Sequence, residues 1–271
     1  MAPLDGEHCS ERAGGGRLKV CVTGSAGVIG KRLVEDLRRD HDVVTVDVRD
    51  AEHIVDVGVD LAGLQRAFTG CETVVHLAAP SDSESPWEIV YRDGIGGTYN
   101  AFEAARRAGV KQMIYPSSNH AVGEYEVEAP KPDLYQPGFG LVLDDRSAVR
   151  PDGYYGIGKV FGEAMGRFYS DRYGMQVACL RICSVTSADK PIDPIARPPW
   201  KYLPLTDEQR ALRLLAMWCS QRDFGRLVRA IMSRDVRFAI INVVGDNPTR
   251  WFDLERGRAH YGWWPLDGSA S

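Results

Sequence analysis

The stretch Val20-Cys21-Val22-Thr23-Gly24-Ser25-Ala26-Gly27-Val28-Ile29-Gly30 most constrains this chain: an apolar β-branched run passes directly into glycines spaced G-x-x-G-x-x-G. That order predicts a strand, a tight turn and a helix start, whose bare backbone N–H groups and positive dipole end suit a phosphate. Gly24 permits the turn, Gly27 admits a pyrophosphate, and Gly30 lets the helix lie close on the strand. A glycine turn by itself also fits a sharp structural connection. Here Val43-Val44-Thr45-Val46-Asp47 reads as a second strand, ending in a carboxylate seventeen residues after Gly30. An acid at that place accepts hydrogen bonds from the adenosine ribose and repels a 2′-phosphate, so NAD is favoured over NADP. Arg49 partly offsets Asp47. Ala26, Val28 and Ile29 complete the phosphate turn.

A chain of 271 residues buries one substantial core with room for a small appended lobe. Hydrophobic content of 44%, charged content of 26% and a net charge of −4 describe an ordinary globular protein with no electrostatic case for nucleic acid. No apolar run approaches the roughly 20 residues that span a bilayer, and residues 1–17, with Asp5, Glu7 and Glu11, lack the apolar core of a signal peptide. They are expected to be a disordered tail. The six cysteines are scattered and include no C-x-x-C pair. A reduced, cytoplasmic protein without a structural metal is the reading this supports.

From residue 18 to about 182, β-branched runs (18–23, 43–47, 73–77, 111–116, 176–182) alternate with helical patterns (28–39, 60–68, 86–108, 153–173). The alternation predicts an α/β fold, a doubly wound parallel sheet with helices on both faces and ligands gathered at the carboxyl ends of its strands. Residues 185–210 are rich in proline and read as a long loop. Helices at 206–218 and 221–233 and a strand at 238–243 follow. The expected organisation is a dinucleotide-binding domain over 18–184 and a small C-terminal substrate-binding lobe over most of 185–271, with 221–243 returning to the core.

Tyr155-Gly156-Ile157-Gly158-Lys159 places a phenol and an amine on one helix face. Lys159 is expected to stabilise a Tyr155 phenolate and to hold a ribose, while Ser118, at a strand end, gives a second hydrogen bond to the same substrate oxygen. A solvated Tyr/Lys face is the plain alternative; the glycine turn and Ser118 favour catalysis.

The glycine pattern, Asp47, His76-Leu77-Ala78-Ala79, Ser118 and Y-x-x-x-K resemble the extended short-chain dehydrogenase/reductase superfamily, a Rossmann-type fold, over about residues 18–265. The resemblance implies adenine contacts from Asp56 and Val57, and a cofactor-lining strand end at Leu77, Ala78 and Ala79. Pro116-Ser117-Ser118-Asn119-His120, Arg150-Pro151-Asp152-Gly153-Tyr154-Tyr155-Gly156, Arg181-Ile182-Cys183-Ser184 and the Trp218–Phe224 segment resemble, more narrowly, NAD-dependent uronate dehydrogenases. Those enzymes oxidise the anomeric carbon of a hexuronic acid to a lactone. By that likeness Arg213 binds the sugar carboxylate, and Ser81, Asn119, His120 and Ser184 contact the sugar. A homodimer through the helices at 86–108 and 153–173 is implied in the same way.

Two departures stand out. Gly94 occupies the place where the superfamily commonly carries an asparagine tied to a water-mediated proton path, and the 186–210 loop is longer than in the uronate enzymes. Two other readings share the motifs: a sugar-nucleotide epimerase or dehydratase with tightly held NAD, and a non-catalytic NAD-binding regulator.

Overall fold

A computed structural model describes residues 10–11, 16–191, 201 and 203–270. In chain order the elements are β1 (Ser10–Glu11), β2 (Lys19–Thr23), α1 (Val28–Leu37), β3 (Asp42–Asp47), β4 (His53–Ile54), α2 (Leu61–Phe68), β5 (Thr73–His76), α3 (Trp87–Ile89), α4 (Gly97–Arg107), β6 (Gln112–Tyr115), α5 (Glu124–Glu128), α6 (Tyr154–Tyr173), β7 (Gln176–Ile182), α7 (Asp207–Met217), α8 (Gln221–Met232), β8 (Arg234–Asp235), β9 (Phe238–Val243) and α9 (Glu255–Tyr261). Seven strands form one sheet in the order β4-β3-β2-β5-β6-β7-β9, every pairing parallel. Strands buried on both faces carry near-continuous apolar runs. Val20, Val22, Val74, Val75, Met113 and Leu180 are accordingly inaccessible to water. Helices cover both faces over two apolar clusters, one under α1, α7 and α8 and one under α2, α4 and α6.

The chain leaves β2 toward β3 on one side and meets β5 on the other. This reversal opens a crevice above the carboxyl ends of β2 and β5.

Two features depart from the sequence expectation. Ser10–Glu11, inside the stretch expected to be a disordered tail, pairs antiparallel with β8; residues 1–9 and 12–15 lie outside the described residues. The helix expected over 86–108 is interrupted: α3 runs through a π-helical segment, Val90–Gly96, before α4. Of the proline-rich loop, residues 192–200 and 202 lie outside the described residues. The loop ends at α7 in a full capping box, with Thr206 accepting from the Gln209 amide and Gln209 reaching back to Thr206.

Candidate active site

The phosphate turn is built by close approach. Gly24 has φ +66°, and a Cβ there would lie 2.7 Å from the Ala78 nitrogen; a Cβ on Gly30 would lie 2.1 Å from the Gly24 oxygen. Gly27 caps α1 without any side-chain hydrogen bond, so the first-turn amides at Val28 and Ile29 have no side-chain cap. Asp47 stands beside them. Its Oδ2 accepts from the Ala26 N–H at 3.0 Å and its Oδ1 from the Val48 N–H at 2.8 Å. A carboxylate fixed next to uncapped helix amides fits a dinucleotide: amides for the pyrophosphate, Asp47 for the adenosine ribose. Further along, Asp56 holds the Gly58 N–H at 2.9 Å, and Asn100 on α4 clamps the Val57 carbonyl at 2.8 Å.

Thr23 ties the second wall of the crevice to the first. Its hydroxyl accepts from the Ala78 N–H at 3.1 Å and lies 2.8 Å from His76 Nδ1. The imidazole is thereby held by its Nδ1 against the Thr23 hydroxyl. Burial pushes the His76 pKa down to about 3, so the ring stays neutral. His76 and Thr23 hold the Leu77-Ala78-Ala79 strand end in place, a role the sequence reading did not separate from cofactor contact.

Ser118 follows β6 and caps the short 3-10 turn Asn119–Val122, accepting from the His120 N–H. It also acts on the Tyr155 phenol, drawing its pKa down. Lys159, one turn on along α6, is buried; its Nζ donates to the Pro116 carbonyl at 2.8 Å and lies 5.2 Å from the Tyr155 ring centroid. Ala79, Gly94, Tyr155 and Lys159 border one small void of about 10 Å³, at the lower limit for a single water. A Cβ at Gly94 would meet only Val90, at 3.5 Å.

Burial pushes the Tyr155 phenol up to about 12; the Ser118 bond lowers it in part and the Asp152 carboxylate raises it. The Lys159 amine is pushed down to about 8 by burial. In the protein alone, burial of the Tyr155 phenol outweighs what draws its pKa down, with the Lys159 amine 5.2 Å from the ring centroid.

Asp152, named from the sequence only as part of a motif, and Glu163, absent from the sequence reading, position these groups. Asp152 Oδ2 lies 2.7 Å from His120 Nδ1, and the His120 ring stands edge-on to Tyr155 at 5.5 Å. Glu163, on α6, accepts from the Ser117 hydroxyl at 2.6 Å and from two nitrogens of Arg181 at 2.9 Å each, locking α6 to the ends of β6 and β7. Their partners lie 18 to 46 residues away in sequence, so no local spacing announces them.

The sugar-side residues are spread more widely. Asn119 is buried, its Oδ1 3.4 Å from the Ser118 hydroxyl. Ser184 pairs with Trp218 through backbone bonds that join the end of β7 to the end of α7. Ser81 is exposed just beyond Ala79. Arg213 is buried in α7 and forks onto Glu126 of α5, at 2.7 and 3.0 Å. Tyr135 donates to the same Glu126 carboxylate at 2.9 Å. Five cysteines are free and buried, and among the described residues no cluster of metal-binding side chains occurs.

Comparison with known proteins agrees with this geometry. A family model described as the NAD dependent epimerase/dehydratase family matches residues 20–198. L-arabinose 1-dehydrogenase (NAD(P)(+)) of Haloferax volcanii is 34% identical over 93% of this chain and 98% of its own. The NAD-dependent glucose-6-phosphate dehydrogenase of the same organism is 33% identical over 93% and 94%. Among solved structures, a uronate dehydrogenase variant from Agrobacterium tumefaciens in complex with NAD superposes with TM-score 0.75 at 27% identity, covering 94% of this chain and 86% of that one. With a matching model over most of its length and relatives above 30% identity across nearly all of it, this chain belongs to the NAD-dependent epimerase/dehydratase family.

Proposed function

We propose that the protein is an NAD-dependent sugar dehydrogenase that oxidises the anomeric C1 of a cyclic aldose or uronic acid to the lactone. The observation that carries this reading is the buried Lys159 ammonium 5.2 Å from the Tyr155 ring centroid, both bordering one small void, with Ser118 acting on the same phenol. Relatives named as dehydrogenases of arabinose, glucose 6-phosphate and uronates support it. Gly24, Ala26, Gly27, Val28 and Ile29 hold the pyrophosphate; Asp47, Asp56 and Val57 hold the adenosine; Leu77, Ala78 and Ala79 line the nicotinamide half, and Lys159 grips its ribose. When bound, NAD supplies the hydride acceptor and a positive pyridinium ring that favours an ionised phenol. Ser118 fixes the C1 oxygen, Tyr155 takes its proton, and Lys159 steadies the phenolate. The C1 hydrogen leaves as hydride and C1 becomes the lactone carbonyl. Ser81, Asn119, His120, Ser184 and Arg213 form the sugar shell, within a lobe built mostly from residues 185–271.

The assay is direct: protein, NAD⁺ and a panel of aldoses and uronates, followed by NADH absorbance. NADH is expected from at least one sugar, and Tyr155→Phe is expected to lose about 10²-fold or more in kcat while still binding NADH. No NADH from any sugar, or a fully active Tyr155→Phe, ends the proposal.

The same reading includes a homodimer in the cytoplasm. Trp87 of α3, with Tyr91 of the π-helical segment and Tyr154 of α6 at 5.8 and 5.5 Å from its ring centroid, makes an exposed aromatic cluster, the kind of patch that marks an interface. Sedimentation equilibrium is expected to give twice the chain mass, falling to one in Trp87→Asp; a monomeric wild type rejects the dimer. Buried free thiols suit a reducing compartment.

A further inference from the structure

Four cationic side chains are buried among the described residues: Lys159, Arg181, Arg210 and Arg213. Arg181 holds Glu163 and Arg213 holds Glu126, both through two guanidinium nitrogens. Arg210 holds Asp207 at 3.0 Å. Lys159 bonds the Pro116 carbonyl and, on the function proposed above, serves Tyr155 and the ribose. The remaining titratable group beside the reacting oxygen, His120, is tied to Asp152.

The Glu126–Arg213 pair is the telling one. Each side chain is 5% exposed, and the Tyr135 hydroxyl adds a third bond to the same carboxylate. Cys183, the residue after β7, feels both charges. Glu126 itself follows closely on the Asn119–Val122 turn. A buried guanidinium fork is complementary to one carboxylate, and this chain supplies that carboxylate itself. A second anion arriving there meets a pair of zero net charge. To take Arg213 it must displace Glu126 and leave a buried carboxylate uncompensated, which is strongly unfavourable.

We propose that Glu126 closes Arg213 to anionic sugars, so that this site takes a neutral aldose and discriminates against the corresponding uronate or sugar phosphate. The inference rests on the dehydrogenase reading above and narrows its substrate class. Neutral hydroxyls need donors and acceptors from Asn119, His120 and Ser184, with no unpaired cation.

The test compares two sugars differing at one position, galactose and galacturonate, with galactose 6-phosphate as a third, in steady-state NADH formation. The neutral sugar is expected to exceed both anions by at least about tenfold in kcat/KM, the scale of a like-charge mismatch. Glu126→Gln, which keeps shape and removes the charge, is expected to raise galacturonate kcat/KM and shrink that ratio. A wild type that prefers galacturonate or galactose 6-phosphate overturns the inference and leaves the dehydrogenase standing; this arm needs no variant to fold. A folded Glu126→Gln with an unchanged ratio also overturns it. No NADH from any of the three, or from other neutral aldoses, while the protein still binds NADH, removes the dehydrogenase reading instead.

Discussion

At the residue scale, the Tyr155 phenol sits in surroundings that resist its ionisation. Burial dominates the upward shift of Tyr155, the Ser118 bond opposes it, and the Asp152 charge adds to it. A carboxylate near a phenol disfavours the phenolate, so removing that charge lowers the phenol pKa. Asp152→Asn is therefore expected to move the rising limb of the kcat–pH profile to lower pH, even as the loss of the His120 bond reduces the plateau. A limb that stays in place, or moves to higher pH, shows that Asp152 does not set the phenol. The Tyr155/Lys159 pair was legible because four residues on a helix are neighbours whatever the fold. Glu126 was not. It meets Arg213 across 87 positions in sequence, and its place in α5, a helix of five residues, leaves almost no periodic mark. The arginine was visible and its partner was hidden.

At the element scale, the strands were legible where a parallel sheet buries both faces, since a run such as Thr73–His76 has little freedom to be anything else. Two-residue strands such as β4 and β1 carry no such pattern, and the π-helical segment Val90–Gly96 differs from its flanks in hydrogen-bond step rather than composition. The three glycines of the first turn, identical in sequence, should separate by experiment. Gly24 needs positive φ as well as space, and an alanine at Gly30 collides with the Gly24 carbonyl. Both substitutions are expected to cost folding stability, Gly24→Ala by about 1–2 kcal/mol from backbone conformation alone and more from the contact with Ala78. At Gly27 the nearest obstacle to a Cβ is the Gly24 oxygen at 3.2 Å. Gly27→Ala is therefore expected to fold with near-normal stability and to weaken NADH binding, because its methyl stands where the pyrophosphate approaches. Urea unfolding and NADH fluorescence titration measure the two effects; equal stability losses at all three positions would contradict this assignment.

At the scale of the whole molecule, the part that binds the dinucleotide is not finished by the residues that bind it. β9 runs beside β7 in full register from Val177–Phe238 to Ile182–Val243, and α8 lies against α1, where Arg229 bridges Asp36 and Asp40 at 2.7 to 2.9 Å. Phe224, Leu227, Val228, Ile231, Ile241 and Val243 share one apolar cluster with Val20, Val22 and Leu33 of the phosphate-turn unit. The chain thus returns to the sheet at β9, beside the strand β7 that it left earlier. Ending the chain at residue 205 strips β7 of its outer neighbour and uncovers the apolar face of α1, at roughly 1.5–3 kcal/mol for each large side chain exposed. Several such losses exceed the 5–15 kcal/mol that holds a typical domain together. A fragment covering residues 1–205 is expected to lack a cooperative thermal transition and to bind no NADH, although it contains every residue of the phosphate turn together with Ser118, Tyr155 and Lys159. A fragment that melts cooperatively and binds NADH would mean that the dinucleotide half stands alone and that the last sheet strand is dispensable to it.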